Sequence, residues 1–111
     1  MPFLNFNTKK TIQIWDGVTG AFFHSEQLMF GYITLAKGTV VPEHQHHHEQ
    51  WTHLLEGELE FTINGETEIL RPGIAAYIPS NTPHSVRAIS KCKLIDCFLP
   101  VREDFVALEV Q

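Results

Sequence analysis

The sequence predicts an all-β fold, a sandwich or barrel of short antiparallel strands. Apolar and polar residues alternate with period two through several short runs. Asn64-Gly65 stands between two such runs, the strongest short-range hairpin signal, because both turn residues must accept positive φ. Gly and Pro punctuate the other runs, and no ten-residue segment before Val101 carries a helical repeat.

In chain order, the first ten residues read as an arm, swapped or loosely held, with Phe3, Leu4 and Phe6 as apolar anchors. Leu28–Leu35 is rich in aromatic and β-branched residues and ends at the turn signal Lys37-Gly38. A strand is expected after Gly38, carrying His44 and His46. Gln50–Glu56 is another, closed by Gly57. Glu58–Ile63 and Glu66–Leu70 form the hairpin about Asn64-Gly65. Arg71-Pro-Gly73 turns into Ala75–Ile78, a loop follows over Pro79–Pro83, and His84–Ile89 and Lys93–Leu99 supply the last strands. Arg102–Phe105 is read as one helical turn. Phe30, Tyr32, Trp51, Phe61 and Tyr77 are assigned to the core or a pocket wall, since aromatics at strand spacing usually serve packing.

Length and composition narrow the classes. A chain of 111 residues supports one hydrophobic core, so residues 1–111 are read as a single domain. A net charge of −5 with only eight scattered Lys and Arg excludes the clustered cations that nucleic acid requires. No run approaches the roughly 20 apolar residues of a membrane span, and the start lacks a secretion signal. A cytoplasmic location is expected. Cys92 and Cys97 fall on opposite faces of a strand, which predicts free thiols rather than a disulfide.

Seven histidines are the compositional anomaly, four of them between residues 44 and 48. The run is internal and broken by Gln45, unlike a purification tag. His44 and His46, two apart on a strand, face one side. Gln50 opens the next strand, and His84 arrives from a distant segment. Three imidazoles and an amide oxygen suit one divalent transition ion (Ni, Zn, Fe, Mn or Cu) and leave positions open for water or substrate. The other reading is solvated loop histidines around Glu43 and Glu49, and His24, His47, His48 and His53 are given that role.

A resemblance decides the matter for the remaining three. The cupin superfamily has a first motif of a glycine, five residues, His-X-His, three or four residues, a glutamate, six residues and a glycine. Gly38, His44, His46, Gln50 and Gly57 are similar to it in order and spacing, with Gln50 in place of the glutamate. The second motif is resembled by Gly73, Pro79, Asn81 in a glycine place, His84, and Ala88 in an asparagine place. Together the motifs cover residues 38–88. The resemblance implies the double-stranded β-helix, or jelly-roll barrel, with His44, His46, Gln50 and His84 as metal ligands. Gln50 leaves the site one charge more positive than glutamate would, which favours an anionic ligand.

The ending Leu94–Phe105 resembles that of the KdgF-type cupins of pectin and alginate degradation, in an Asp-x-Phe-x-Pro-x-Arg-x-Asp-Phe segment from Asp96 to Phe105, within the last strand and terminal turn over residues 93–105. This resemblance implies a metal-dependent, isomerase- or lyase-like enzyme that converts ring-form 4,5-unsaturated monouronates to the linear keto acid. Asp96, Phe98 and Arg102 would then lie beside a small anionic sugar. Period two alone puts Leu94, Asp96 and Phe98 on one face. An inward Asp96 needs a cation or a task, with Arg102 or a metal-bound water as its partner. In that scheme Asp96 moves a proton, Arg102 binds the sugar carboxylate through two hydrogen bonds, and Phe98 packs on the sugar ring. The alternatives are an edge-strand acid for Asp96, a solvated terminal turn for Arg102, and, for the whole protein, a non-enzymatic sugar-acid sensor or an iron-dependent dioxygenase. Likeness to small cupins also implies a homodimer.

Overall fold

The computed structural model describes residues 2–110; Met1 and Gln111, the two ends of the expected domain, lie outside the described residues. Ten strands and one helix follow in order: β1 (Ile12–Trp15), β2 (Val18–His24), β3 (Met29–Leu35), β4 (Val40–His44), β5 (Glu49–Glu56), β6 (Leu59–Ile63), β7 (Glu66–Leu70), β8 (Ala75–Ile78), β9 (His84–Ala88), β10 (Cys92–Leu99) and α1 (Glu103–Glu109). They form two antiparallel sheets, ordered β1-β2-β3-β10-β5-β8 and β4-β9-β6-β7. This is the expected all-β jelly roll.

Alternation in sequence becomes alternation in space. On β10, Cys92, Leu94 and Phe98 are buried, while Lys93, Ile95, Cys97 and Leu99 have the outward parity. Leu54, Leu59 and Ile78 have no exposure left, each contributing about 1.5–3 kcal/mol of burial. At the β6–β7 hairpin, Ile63 pairs with Glu66, and Asn64 and Gly65 take φ of 49° and 83°, as the turn signal requires.

Of the eight expected strands, the seven other than that after Gly38 agree with the observed ones to within a residue at either end. Four features differ from expectation. Strands β1 and β2 lie where no strand was predicted. Strand β4 ends at His44, because its partner there, His84, is the first residue of β9; His46 therefore lies past the strand, not on it. The helix continues for seven residues rather than one turn. So short a helix is held by packing rather than propensity: Phe105 is buried, its ring 5.0 Å from Phe22 and 5.7 Å from Phe98. Acidic Glu103 and Asp104 in the first turn favour its dipole.

The fourth difference concerns the aromatics. Phe61 is in the core, but Phe30, Trp51 and Tyr77 face outward and are 43–50% exposed. Cross-strand pairing aligns Phe23, Phe30, Cys97, Trp51 and Tyr77 in one row over the outer surface of the larger sheet, with Trp51 and Tyr77 in contact at 4.7 Å between centroids. On β3, β5, β8 and β10 their parity is opposite to that of the core residues. Phe6 of the N-terminal segment packs on Phe23 and Tyr32, whereas Phe3 and Leu4 are exposed.

Candidate metal centre and cavity

His44 and His84 are cross-strand partners at one end of the smaller sheet. Their ring centroids are 4.2 Å apart, and His46 lies 4.9 Å from His84 and 5.9 Å from His44. One ligand nitrogen of each lies within 4.8 Å of the others. The larger sheet contributes Gln50 from the start of β5. Its Oε1 is 3.1 Å from His46 Nε2.

Backbone carbonyls fix the three rings. Nδ1 of His44 donates to Pro42 O, that of His46 to His48 O and that of His84 to Thr82 O, each at 2.8 Å. This tautomer leaves every Nε2 with a free lone pair, the usual preparation of a metal ligand. The loops that hold them are themselves tied: Asn81 N donates to His46 O at 2.7 Å, and Ser80 donates to His47 O. Asn81 stands in a glycine place of the second motif and has φ of 57°, a left-handed conformation that Asn accepts better than most residues.

Two observations test whether a cation fits. His84 Nε2 is buried without a hydrogen-bond partner. The lone pair of His46 Nε2 faces the carbonyl oxygen of Gln50, an acceptor against an acceptor. A divalent ion satisfies both, and three imidazoles with an amide oxygen are suitable donors for it. Burial, foremost, lowers the His84 pKa to about 4, with the neighbouring imidazoles adding to the effect against the Thr82 bond; burial and then the charge of Arg102 lower His46. Both rings are neutral at neutral pH, the form that binds metal.

Behind Gln50 lies a second layer. Its Nε2 donates to Thr52 Oγ1 at 3.0 Å and to Asp96 Oδ1 at 3.3 Å, and Thr52 Oγ1 donates to the same carboxylate oxygen at 2.5 Å. An ionised carboxylate only accepts, so Asp96 holds the amide nitrogen of Gln50 toward itself and turns its oxygen toward the histidines. Burial raises the Asp96 pKa to about 6, opposed by the Thr52 and Gln50 hydrogen bonds and by the charge of Arg102.

These groups open onto a cavity of about 400 Å³ between the sheets, with His44, Gln50, Thr52, Asp96, Arg102 and Asp104 as its polar lining. Asp96 lies on the same inward face of β10 as Leu94 and Phe98, so it is not an acid on a solvent-facing edge. Arg102, in contrast, is not its hydrogen-bond partner. The guanidinium is engaged by Asp104, with Nε to Oδ1 at 3.0 Å and Nη2 to Oδ2 at 2.8 Å, and lies over the rings of Phe98 and Phe105 at 5.0 and 4.0 Å. It is only 13% exposed, unlike a solvated turn residue. Phe98 is buried beneath it.

His24, His47 and His53 are exposed as expected, but His48 is buried; the end of α1 closes over it, through Glu103 at 3.5 Å. Thr52 and Asp104 are the site residues that pattern reading missed. Thr52 shares the inward parity of Gln50 and Leu54, and that parity is the signal that would have found it. Both cysteines are free, Cys92 in the core and Cys97 on the outer face.

No helix among the described residues is long and apolar enough to cross a membrane. Comparison with known proteins gives a consistent assignment. The Cupin domain family matches residues 31–98. The pectin degradation protein KdgF of Dickeya dadantii is 36% identical over 84 residues, 74% of this chain and 76% of that protein. Among solved structures, an RmlC-like cupin from Shewanella frigidimarina superposes with a TM-score of 0.89 at 27% identity, over 95% of this chain and 96% of that one. KdgF from a Halomonas species does so with a TM-score of 0.88 at 28% identity, over 95% and 98%. The chain belongs to the cupin family, among its KdgF-like members.

Proposed function

We propose that the protein acts in pectin or alginate breakdown, converting ring-form 4,5-unsaturated monouronates into the linear keto acid with one divalent metal ion held by His44, His46, Gln50 and His84. The observation that carries this reading is one cavity lined by the Asp96 carboxyl, the Arg102 guanidinium, and His44 and Gln50, with His44 in turn clustered with His46 and His84. The net change is an isomerisation. A proton leaves the anomeric hydroxyl as the ring C–O bond opens, and carbon 4 gains a proton as the double bond is lost.

Asp96 is suited to moving that proton, since a carboxyl with pKa of about 6 can both accept and give near neutrality. When bound, the metal supplies Lewis-acid polarisation of a sugar oxygen. Arg102 takes the sugar carboxylate in the fork that Asp104 engages, exchanging one carboxylate for another. Phe98 forms the floor on which Arg102 and the sugar ring rest. The proposed location is cytoplasmic. The aromatic row on the outer face of the larger sheet supports a homodimer, because an apolar surface of this continuity favours a partner; Trp51→Lys would then shift the sedimentation of a dimer to that of a monomer.

The test gives the metal-loaded protein an unsaturated monouronate and follows loss of the double-bond ultraviolet absorbance. Asp96→Asn and Arg102→Ala each slow the loss by at least tenfold. Decay no faster than in buffer, with the ligand nonetheless bound, replaces catalysis with sugar-acid binding.

A further inference from the structure

A second cluster of ligating side chains lies beside the first and has no part in the reaction proposed above. His47 and His48 occupy the turn between β4 and β5, and Glu103 is the first residue of α1. One ligand atom from each lies within 4.8 Å of the other two. The two imidazole centroids are 3.9 Å apart. His48 Nε2 is 3.5 Å from Glu103 Oε2, longer than a well-formed hydrogen bond.

The buried member makes the cluster more than a surface coincidence. His48 is 5% exposed, and neither of its ring nitrogens has a hydrogen-bond partner among the described residues. Buried imidazole nitrogens are normally satisfied, so this ring is turned toward something its neighbours do not supply. His47 and Glu103 are exposed and leave the approach open to solvent. The backbone beneath is already fixed, because Ser80 donates to His47 O and His46 Nδ1 donates to His48 O at 2.8 Å.

We propose that His47, His48 and Glu103 form a second, separate divalent metal site, with water completing its coordination. Two imidazoles and one carboxylate select borderline first-row ions such as Zn or Ni over Ca or Mg. An ion there joins the turn that carries His46 to the first turn of α1, the element that Arg102 precedes as N-cap. Occupancy therefore steadies the mouth of the cavity without taking a ligand from the His44–His46–His84 centre.

Equilibrium dialysis of chelator-stripped protein against Zn ions, at micromolar to millimolar free metal, tests this. The wild type should bind two equivalents. Glu103→Gln and His47→Asn, both at exposed positions and so compatible with the fold, should each retain the tighter equivalent and bind the second at least tenfold more weakly. Saturation of the wild type at one equivalent or fewer overturns the proposal, leaving His48–Glu103 as an ion pair only. So does a second equivalent that both variants keep at unchanged affinity, which would assign it to exposed histidines such as His24 or His53.

Discussion

Thr52→Val probes the layer that orients Gln50. Valine matches threonine in shape, so no cavity opens in a position that is 1% exposed, and the loss is confined to hydrogen bonds. Gln50 Nε2 loses its 3.0 Å acceptor and Asp96 loses its shortest donor. A lost neutral hydrogen bond costs about 1 kcal/mol. The penalty on the carboxylate is capped, because a group with pKa of about 6 can take up a proton at pH 7 for about 1.4 kcal/mol. The sum is about 2 kcal/mol, or a fall in Tm of roughly 6–12 °C for a domain of this size. Calorimetry of metal-free protein at pH 7 measures it, with Thr52→Ser, which keeps the hydroxyl, returning at least half of the loss. A Tm for Thr52→Val within about 1 °C of wild type would refute the reasoning, since the hydroxyl would then support neither Gln50 nor Asp96.

Other outcomes follow from the same geometry. Gly57→Ala should be far more damaging than Gly38→Ala, although both are glycines of the first motif with positive φ: a Cβ at Gly57 meets the Lys91 carbonyl oxygen at 2.2 Å, whereas at Gly38 it meets open space. Urea unfolding should show about 3 kcal/mol or more for the first and about 1 kcal/mol for the second. Removing metal with a chelator should lower Tm, and re-adding Zn or Ni at about a hundred times its Kd should restore about 2.7 kcal/mol; no response in thermal unfolding would remove the metal from the native state. Arg102→Ala should destabilise the fold by about 1 kcal/mol beyond any effect on turnover, because the guanidinium lies over Phe98 and Phe105, and Arg102→Lys should recover only part of this, as read by denaturant titration. Native thiol titration should label Cys97 before Cys92, with burial holding both thiols protonated and Cys92 fully enclosed.

Period-two patterning made most of the sheet legible, because β5, β6, β8, β9 and β10 each turn one face to the same core, while β7 is marked by its hairpin turn and buries only Leu70. It failed for β2, where Ala21 and Phe22 are buried in succession and the Phe22 ring lies where a side chain at Gly31 would be. A glycine within β3 is the counterpart of that ring, which alternation on either strand alone does not reveal. The histidine spacing was legible as a cluster but not as a strand, since His46 lies past the last pair of β4 and β9, His44 with His84. The outward aromatics were misjudged for a related reason: parity separates the faces, and Trp51 is out of phase with Gln50 and Thr52. The partner of Arg102 was invisible to strand logic, because it is set by a helix start, where residues two apart meet through side-chain length rather than by face.

His44 and His84 belong to the smaller sheet and Gln50 to the larger one. An ion shared among them would therefore clasp the two halves of the sandwich at one end, while at the other Trp15 Nε1 donates to Val40 O and Cys92 Sγ to Glu58 O across the sheets. Separation of the sheets at the clasped end then requires either release of the ion or loss of the Gln50 oxygen. Each opening of that edge would then leave a bound ion one ligand short, so metal exchange should quicken with the breathing of the sandwich.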